Sequence, residues 1–441
     1  MIDNLENILM DQRELFESKK NWIIRDIDFK KYIKTSHITI ISGIRRSGKS
    51  TLLRQFSEKY EDYYYINFDD ERLINFTVQD FADMMMLFQK QFSAKTVFID
   101  EIQNIEGWER FIRRIHDEEY KIFITGSNAN LLSSELGTHL TGRYLKVELF
   151  PFSFSEHLRY NKLSYQKLTT KIKASILKHF DSYLIHGGMP EYLKYGEEEF
   201  LSRTYEDIIY RDIISRYKLK EVKQFKQLSH YLFSNFTSDI SYNSLRNILG
   251  IKSPVSIKNY IGYLEESYLV FELFKYDYSL KQQHIRQKKI YIIDNGIRNS
   301  IAFRFSSDKG KLLENLVFLE YKRRGIEVYM HRNKTECDFI VENKQKIISA
   351  IQVCYNLNVN NKKREMSGAI TAMDCYNLDS SCILTYNQSG TETLTDGRVI
   401  IIIPVWQWLI SSPFLRNVDE LTSASRRTDL GRICLISDHK S

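Results

Sequence analysis

Residues 43–51 read Gly43-Ile44-Arg45-Arg46-Ser47-Gly48-Lys49-Ser50-Thr51 and match the pattern G-x-x-x-x-G-K-[ST] at every fixed position. An apolar run at residues 38–41 precedes the match and predicts a strand, and residues 51–56 read as a helix. Glycines accept backbone angles that other residues resist, so successive N–H groups can turn inward at a helix N-terminus. The pattern therefore predicts a phosphate-binding loop, in which Lys49 reaches the β and γ phosphates of a nucleotide and the Ser50 hydroxyl binds Mg²⁺.

A second motif follows at residues 96–101, which read Thr96-Val97-Phe98-Ile99-Asp100-Glu101. An unbroken apolar run of this length is typical of a buried parallel strand, and here it ends in two carboxylates. We expect Asp100 to hold Mg²⁺ through water and Glu101 to polarise the water that attacks the γ-phosphate. The loop alone indicates nucleotide binding, whereas the loop and this acidic strand end together predict hydrolysis.

Composition limits the class of protein. The chain has 441 residues, 43% of them hydrophobic, which is enough for two or three packed domains. A formal net charge of +7 is too small for this length to identify a nucleic-acid-binding protein, and short basic runs such as Lys288-Lys289 are predicted to be solvated surface. The five cysteines lack the spacing of a zinc site, which favours a reduced cytoplasm. Neither an export signal nor a membrane span is expected, because the N-terminus and the longest apolar run fit neither.

The alternation of elements predicts the domain organisation. Strand-like runs alternate with helical stretches between residues 35 and 150, which predicts an α/β domain with a covered parallel sheet. The predicted divisions are a nucleotide-binding core (1–150), a helical lid (151–222), a winged helix (223–292), a second α/β domain (293–412) and a tail without periodicity that we expect to be disordered (413–441).

Two later positions are candidates for contact with the γ-phosphate. Asn128 or Ser127, which follow a predicted core strand, would sense the γ-phosphate, although both would serve equally well as caps of the next helix. Arg143 precedes the last predicted strand of the core. It would either stabilise transition-state charge on the nucleotide of a neighbouring subunit, which requires a homo-oligomer, or be an ordinary surface residue.

The winged-helix prediction rests on three helical stretches followed by two extended segments. Gly250 stops the second helix, and Ser253-Pro254 provides the cap and first position of the third. In such a fold the tight helix-turn-helix can enter a major groove of double-stranded DNA. The residues that would face phosphates or bases are Lys252, Ser256, Lys258 and Asn259. The alternative is that this module contacts a partner protein.

Together these motifs resemble the archaeal-type AAA+ ATPase family, which also occurs widely in bacteria. The resemblance is carried by residues 43–51, 98–103, 125–128, 142–143 and 187–191, and it spans roughly residues 20 to 410. It implies a protein that binds and hydrolyses ATP with Mg²⁺ through Lys49, Ser50, Asp100 and Glu101. It also implies that Arg143 acts between subunits, and that a restriction-endonuclease-like domain follows the winged helix.

The C-terminal domain departs from the pattern of active nucleases. Glu314 and Asp338 occur in the order in which the nuclease family places its metal-binding acids. A working site needs an acid-x-lysine motif on the next strand, so that carboxylates hold Mg²⁺ and the lysine orients water. Gln352 and Cys354 occupy those two positions. Nuclease activity is therefore not expected, unless a displaced lysine such as Lys346 substitutes.

Three functions follow from these residues. The preferred one is an ATPase that works on DNA or on a partner protein. The second is a nucleotide-gated binding module with little turnover, and the third is an ATP-dependent nuclease.

Overall fold

The computed structural model describes residues 2–18, 22–91, 93–126, 140, 142–285, 287–302 and 308–411. The chain divides into two compact units: unit 1 comprises Met1–Pro151 and Glu266–Tyr268, and unit 2 comprises Phe152–Glu265 and Leu269–Ser441. Within the described ranges, no helix is long and apolar enough to cross a membrane. The predicted tail, residues 413–441, lies outside the described residues.

Unit 1 alternates helices with strands. Its described helices are α1 (Ile2–Ser18), α2 (Phe29–Lys34), α3 (Lys49–Ser57), α4 (Phe81–Gln91) and α5 (Trp108–Asp117). Its strands are β1 (Ile38–Gly43), β2 (Tyr64–Asn67), β3 (Thr96–Asp100), β4 (Lys121–Gly126) and β5 (Tyr144–Leu149). The strand predicted before the phosphate-binding loop is β1, and the strand predicted to end in two carboxylates is β3.

The five strands form one parallel sheet in the order β2-β3-β4-β1-β5. Side chains of a strand alternate between the two faces, so Ile38 and Ile40 pack in one hydrophobic cluster and Ile41 packs in the other. Burial on both faces is the reason that β1 and β3 are continuous apolar runs. The predicted α/β class with a covered parallel sheet is confirmed.

The order of the strands positions the candidate site. Because the strands are parallel, their carboxyl ends meet at one edge of the sheet, which is the edge where α/β proteins bind ligands. Strand β4 lies between β1 and β3, and Thr125 near its carboxyl end pairs in register with Ile41. Asp100, at the end of β3, pairs with Asn67 of β2. The phosphate-binding loop and the acidic strand end therefore share one edge.

Unit 2 begins with helices and continues through two further sheets. Its described helices are α6 (Phe154–Tyr160), α7 (Thr170–His186), α8 (Pro190–Tyr195), α9 (Glu199–Asp207), α10 (Val222–Ser234), α11 (Tyr242–Leu249), α12 (Pro254–Glu266), α13 (Leu280–Ile285), α14 (Asn295–Ile301), α15 (Lys309–Arg323), α16 (Lys362–Tyr376) and α17 (Val405–Ile410). A π-helical segment, Ile208–Ser215, continues α9. The helical winding therefore changes from α to π within the predicted lid, at residue 208.

The junction between α7 and α8, at residues 187–189, requires two glycines. Gly187 has a φ of 70°, and a Cβ on it would lie 2.2 Å from the Asp294 carboxylate. A Cβ on Gly188 would lie 2.2 Å from the carbonyl oxygen of Phe152, which is closer than any side chain permits. The Gly188 N–H donates to Asp294 at 2.7 Å, so the junction is held against the start of α14.

Residues 222–292 contain α10, α11, α12, the short helix α13 and a small antiparallel sheet. The strands are β6 (Asp239–Ile240), β7 (Val270–Phe274) and β8 (Lys288–Ile292), in the order β6-β8-β7. The sequence predicted α10 to α12 and the two longer strands and missed β6, because two residues carry no periodicity. Gly250, with a φ of 64°, ends α11, and Pro254 begins α12.

The last part of unit 2 is a six-stranded mixed sheet. Its strands are β9 (Val328–Arg332), β10 (Glu336–Asn343), β11 (Lys346–Cys354), β12 (Ser380–Thr385), β13 (Gly390–Thr393) and β14 (Val399–Pro404), in the order β13-β14-β12-β11-β10-β9. Strands β11, β12 and β14 are parallel, and the other pairs are antiparallel. Helix α16 makes the crossover between β11 and β12, as a parallel pair requires.

Candidate nucleotide-binding site

The loop between β1 and α3 has the backbone conformation of an anion cradle. Gly43 has a φ of 155° and Gly48 a φ of 95°, and Arg46 between them is also left-handed, with a φ of 64°. A Cβ on Gly43 would lie 2.2 Å from the carbonyl oxygen of Leu149, so only glycine fits there. Gly48 is the N-cap of α3, whose first-turn N–H groups have no partner within the helix. The loop therefore presents N–H groups and the positive end of a helix dipole at the same place.

Lys49 points back into this loop. Its ammonium donates to the carbonyl oxygens of Gly43 and Ile44, both at 3.3 Å, and lies 3.9 Å from Glu101 Oε1. The side chain is only 4% exposed, and a buried ammonium needs such partners. The Ser47 hydroxyl is buried in the same loop and makes no hydrogen bond to any described group. The phosphate-binding loop thus holds a buried ammonium and a buried hydroxyl without a hydrogen-bond partner.

Asp100 lies at the centre of a hydrogen-bonded group. Thr125 donates a short hydrogen bond to the Asp100 carboxylate, and Ser50 donates to the same carboxylate. The Glu101 N–H donates to the Thr125 hydroxyl at 3.0 Å. Hydroxyl and carboxylate oxygens are the hard ligands that Mg²⁺ prefers, and Ser50 and Asp100 bring one of each beside the phosphate-binding loop. These residues therefore fit the magnesium ion that the sequence predicts.

Burial sets the protonation of Asp100. The pKa of this carboxyl is raised to about 6, first because burial removes it from water and second because the Glu101 carboxylate lies beside it. The hydrogen bonds from Ser50 and Thr125 and the charge of Lys49 act in the opposite direction. The site has two carboxyl groups, those of Asp100 and Glu101, and one ammonium, that of Lys49, so negative charge exceeds positive charge when both carboxyl groups are ionised. A divalent cation would correct that balance.

Asp100→Asn is expected to stabilise the nucleotide-free protein at pH 7. The pKa of Asp100 is about 6 in the folded protein, against 3.8 for an aspartate in water, so the carboxyl favours folding fully below pH 3.8 and loses that contribution as the pH rises through about 6. Asparagine does not titrate, so the free energy of unfolding at pH 7 should rise by on the order of 1–3 kcal/mol. Urea unfolding at pH 4 and pH 7 measures this.

The matched control is Asp117→Asn, because the Asp117 side chain is 55% exposed and its removal should change stability by less than about 0.5 kcal/mol. A gain for Asp100→Asn that is equal at the two pH values would contradict the burial argument.

Arg25 is a part of the site that the sequence did not reveal. Its guanidinium donates to the carbonyl oxygen of Ser47 at 3.0 Å and to that of Phe150 at 2.6 Å, and its N–H donates to Gln55 at 3.1 Å. Arg25 is buried, and it joins the loop to α3 and to the end of β5. Its partners lie 22, 125 and 30 residues away, so no local pattern could have indicated this role.

Glu101 follows β3 in a left-handed conformation, with a φ of 52°. Gln103 donates a short hydrogen bond to its carboxylate, and Lys49 lies on its other side. A non-glycine residue with positive φ is strained, and such strain is common where a side chain must be held for function. The geometry holds the Glu101 carboxylate beside the phosphate-binding loop.

The structure does not bring Arg143 to this group. Arg143 precedes β5, and Tyr144 pairs with Ile38 at the amino-terminal edge of the sheet, whereas the loop leaves the carboxyl edge. A six-residue strand separates the two edges by about 20 Å. The Arg143 guanidinium is 37% exposed and pairs with Asp117 at 2.5 Å. The other two candidates, Ser127 and Asn128, lie outside the described residues.

A glycine-bounded loop between a strand and a helix of a parallel sheet, beside a buried acidic strand end, defines a P-loop nucleotide-binding fold. A protein-family model described as an AAA domain matches residues 35–158, and a domain of unknown function matches residues 177–308. An uncharacterised protein of Methanocaldococcus jannaschii is 36% identical over 435 residues, which cover 93% of this chain and 97% of the relative. The chain belongs to the AAA+ family of P-loop ATPases.

Other relatives are more distant. An uncharacterised protein of Haemophilus influenzae is 31% identical over 410 residues, covering 88% of this chain and 98% of the relative. Among solved structures, the replication initiator DnaA bound to AMPPCP and single-stranded DNA is 15% identical, with 56% of this chain and 90% of DnaA covered and a TM-score of 0.26. Cdc6p from Pyrobaculum aerophilum is 12% identical, with 70% and 95% covered and a TM-score of 0.23.

Proposed function

We propose that this protein binds ATP and Mg²⁺, hydrolyses the ATP, and couples its nucleotide state to the binding of DNA or of a partner protein. The observation that carries the proposal is the group formed by the buried residues Lys49, Asp100 and Thr125 with the partly buried Glu101, beside the phosphate-binding loop. Functional sites often contain buried titratable groups with specific charged partners, and in α/β proteins such sites lie at the carboxyl edge of the sheet.

Each residue has a role in the proposed reaction. The loop N–H groups and the Lys49 ammonium would bind the β and γ phosphates, and Lys49 would exchange the carbonyls of Gly43 and Ile44 for phosphate oxygens. Ser50 and Asp100 would hold Mg²⁺, which supplies positive charge to the phosphates when bound. Glu101, with Gln103 and Lys49 fixing its carboxylate, would accept a proton from the attacking water.

Residues 222–292 would act as a winged helix that responds to the nucleotide. Lys252, Lys258 and Asn259 are exposed around the start of α12, and Ser256 is half-buried. Two cationic side chains on an exposed helix N-terminus favour contact with DNA phosphates. On the same part of the module, Val255 is 63% exposed, and an exposed apolar residue favours a protein partner instead.

The steady-state rate of ATP hydrolysis, measured with and without double-stranded DNA at two salt concentrations, tests the coupling. DNA contact through Lys252 and Lys258 should stimulate turnover at low salt, and the binding constant should fall steeply as salt rises. The double variant Lys252→Ala and Lys258→Ala should lose most of this response and reduce the salt slope by roughly 2.

The control is the double variant Lys59→Ala and Lys90→Ala, which removes the same charge from exposed positions of unit 1. Equal loss of DNA response in both double variants would show a general charge effect. If the protein hydrolyses ATP but binds no DNA even at low salt, we would conclude that residues 222–292 contact a partner protein and not DNA.

A nucleotide-gated binding module with little turnover is the second candidate function. One observation favours it: Gln103 and Lys49 already contact the Glu101 carboxylate, and an attacking water would have to share that carboxylate with them. In that case ADP should remain bound through purification, and Glu101→Gln should hydrolyse ATP as slowly as the wild-type protein.

A further inference from the structure

Three carboxylates of unit 2 meet at one point. Glu314 lies on α15, and Glu336 and Asp338 lie on β10. The family resemblance implies a magnesium site of a nuclease at this place, built on Glu314 and Asp338. Glu336 is the third carboxylate, and the sequence did not indicate it as a metal ligand. We call these three residues the acidic cluster.

The ammonium of Lys289 lies inside the acidic cluster. Its Nζ atom is 2.6 Å from Glu336 Oε1, 3.0 Å from Glu314 Oε1 and 3.3 Å from Asp338 Oδ1. The lysine side chain is 6% exposed, and those of Asp338 and Glu314 are 8% and 13% exposed. The short basic run Lys288-Lys289 was predicted to be solvated surface, and the burial of Lys289 corrects that prediction.

Two further donors contact carboxylates of the acidic cluster. The Tyr291 hydroxyl donates to Glu314 Oε1 at 2.6 Å, and the Val353 N–H donates to Asp338 Oδ2 at 2.9 Å. Both carboxylates are therefore held in place by groups that a metal ion would have to displace or share. Lys289 and Tyr291 lie two residues apart on β8, so this one strand supplies both side chains that contact Glu314.

The residues on β11 do not complete a metal site. The Gln352 amide donates to Glu365 at 2.8 Å, and its carbonyl accepts the Asp338 N–H at 3.3 Å, so both ends are engaged. Cys354 offers sulfur, which is a poor ligand for Mg²⁺. Lys346, the displaced lysine that the sequence suggested, is exposed at the opposite end of β11. Among the described residues, no three His, Cys, Asp or Glu side chains are arranged to hold a metal ion. The family-implied ion does not fit.

We propose that the Lys289 ammonium takes the place of that divalent cation, so that the acidic cluster is an internal ionic lock and not a metal site. An ammonium surrounded by carboxylates at 2.6–3.3 Å balances their charge without a bound ion. Because Lys289 lies on the central strand of the sheet β6-β8-β7, the lock fastens that sheet to α15 and β10. The C-terminal domain then serves to bind or to position, and not to cut.

Binding of Mn²⁺ to the full-length protein without nucleotide, followed by electron paramagnetic resonance, tests the lock. The wild-type protein should show no Mn²⁺ site that Asp338→Asn abolishes. Lys289→Ala opens the cluster and leaves three carboxylates together, so it should gain one such site with at least about tenfold tighter binding than the wild type. Lys289→Arg keeps the positive charge and should gain none.

Two results would overturn the proposal. One is a wild-type Mn²⁺ site that disappears in Asp338→Asn, and the other is cleavage of plasmid DNA by the wild-type protein with Mn²⁺ that Asp338→Asn abolishes. Both measurements use the wild-type chain and one neutral, isosteric variant, so the proposal stays testable if Lys289→Ala does not fold. Neither depends on ATP hydrolysis, so a protein without ATPase activity would leave the lock unaffected.

Discussion

Glu101→Gln is expected to bind ATP about as tightly as the wild-type protein and to hydrolyse it roughly 10²- to 10⁴-fold more slowly. Glutamine keeps the size of the side chain and its contact with Gln103, but it cannot accept the proton of the attacking water. Lys49→Ala should instead weaken nucleotide binding by about 100-fold or more, because it removes a charge-assisted hydrogen bond of about 3 kcal/mol.

Two measurements separate these effects. Titration with a fluorescent nucleotide reports binding, and phosphate release under single-turnover conditions reports chemistry. Glu58→Gln is the matched control for Glu101→Gln, and Lys59→Ala is the matched control for Lys49→Ala. Each removes the same charge as its counterpart, but from a side chain that is exposed at the end of α3. If Glu101→Gln hydrolyses ATP as fast as the wild-type protein, a residue other than Glu101 must be the base. If Lys49→Ala binds nucleotide as tightly as the wild-type protein, the nucleotide does not bind at this loop.

Arg143→Ala is expected to lower turnover by about 10³- to 10⁵-fold with little change in nucleotide affinity, if the arginine acts on the nucleotide of a neighbouring subunit. The position of Arg143 supports this interpretation, since an exposed guanidinium about 20 Å from its own loop reaches a phosphate only on another chain. The same exposure, with Asp117 as partner, is also what an ordinary surface residue would have.

Mixing of variants decides between the two. Arg143→Ala chains retain a complete loop, and Lys49→Ala chains retain the arginine, so a mixture should recover part of the turnover that each lacks alone. Arg114→Ala is the matched control, because Arg114 is similarly exposed and pairs with Glu118 one helical turn away. If Arg143→Ala hydrolyses ATP as fast as the wild-type protein, Arg143 is an ordinary surface residue. The reason to expect a homo-oligomer then disappears.

The correct predictions concern features that are local in the chain. The strand, loop and helix of residues 38–57 follow from consecutive residues, because the positions of Gly43 and Gly48 determine where positive φ is possible. The apolar run before Asp100 is also local, and burial on both faces of a parallel sheet is the simplest reason for it. The stop of α11 at Gly250 is a third case, since a left-handed residue ends a helix wherever it occurs.

The wrong or missing predictions concern contacts between distant residues. Lys289 was assigned to solvated surface because a short basic run usually is, yet Glu314 and Asp338, 25 and 49 residues away, surround it. Arg25 was not selected, although it holds the loop that the sequence identified most clearly. In both cases a buried cation is stable only because folding brings its acceptors to it, and spacing along the chain carries no record of those acceptors.

The amino-acid sequence by itself determined the class of this protein, since glycine placement and two apolar strands specify a phosphate-binding loop and an acidic strand end on a parallel sheet. Only the tertiary structure decided which charges are satisfied: that Thr125 joins Asp100 to Glu101, that Arg25 holds the loop, and that Lys289 lies in the acidic cluster. The physical reason is the distance along the chain over which each effect acts. Backbone conformation depends on neighbours in the chain, whereas the cost of a buried charge depends on whatever the fold brings within about 4 Å.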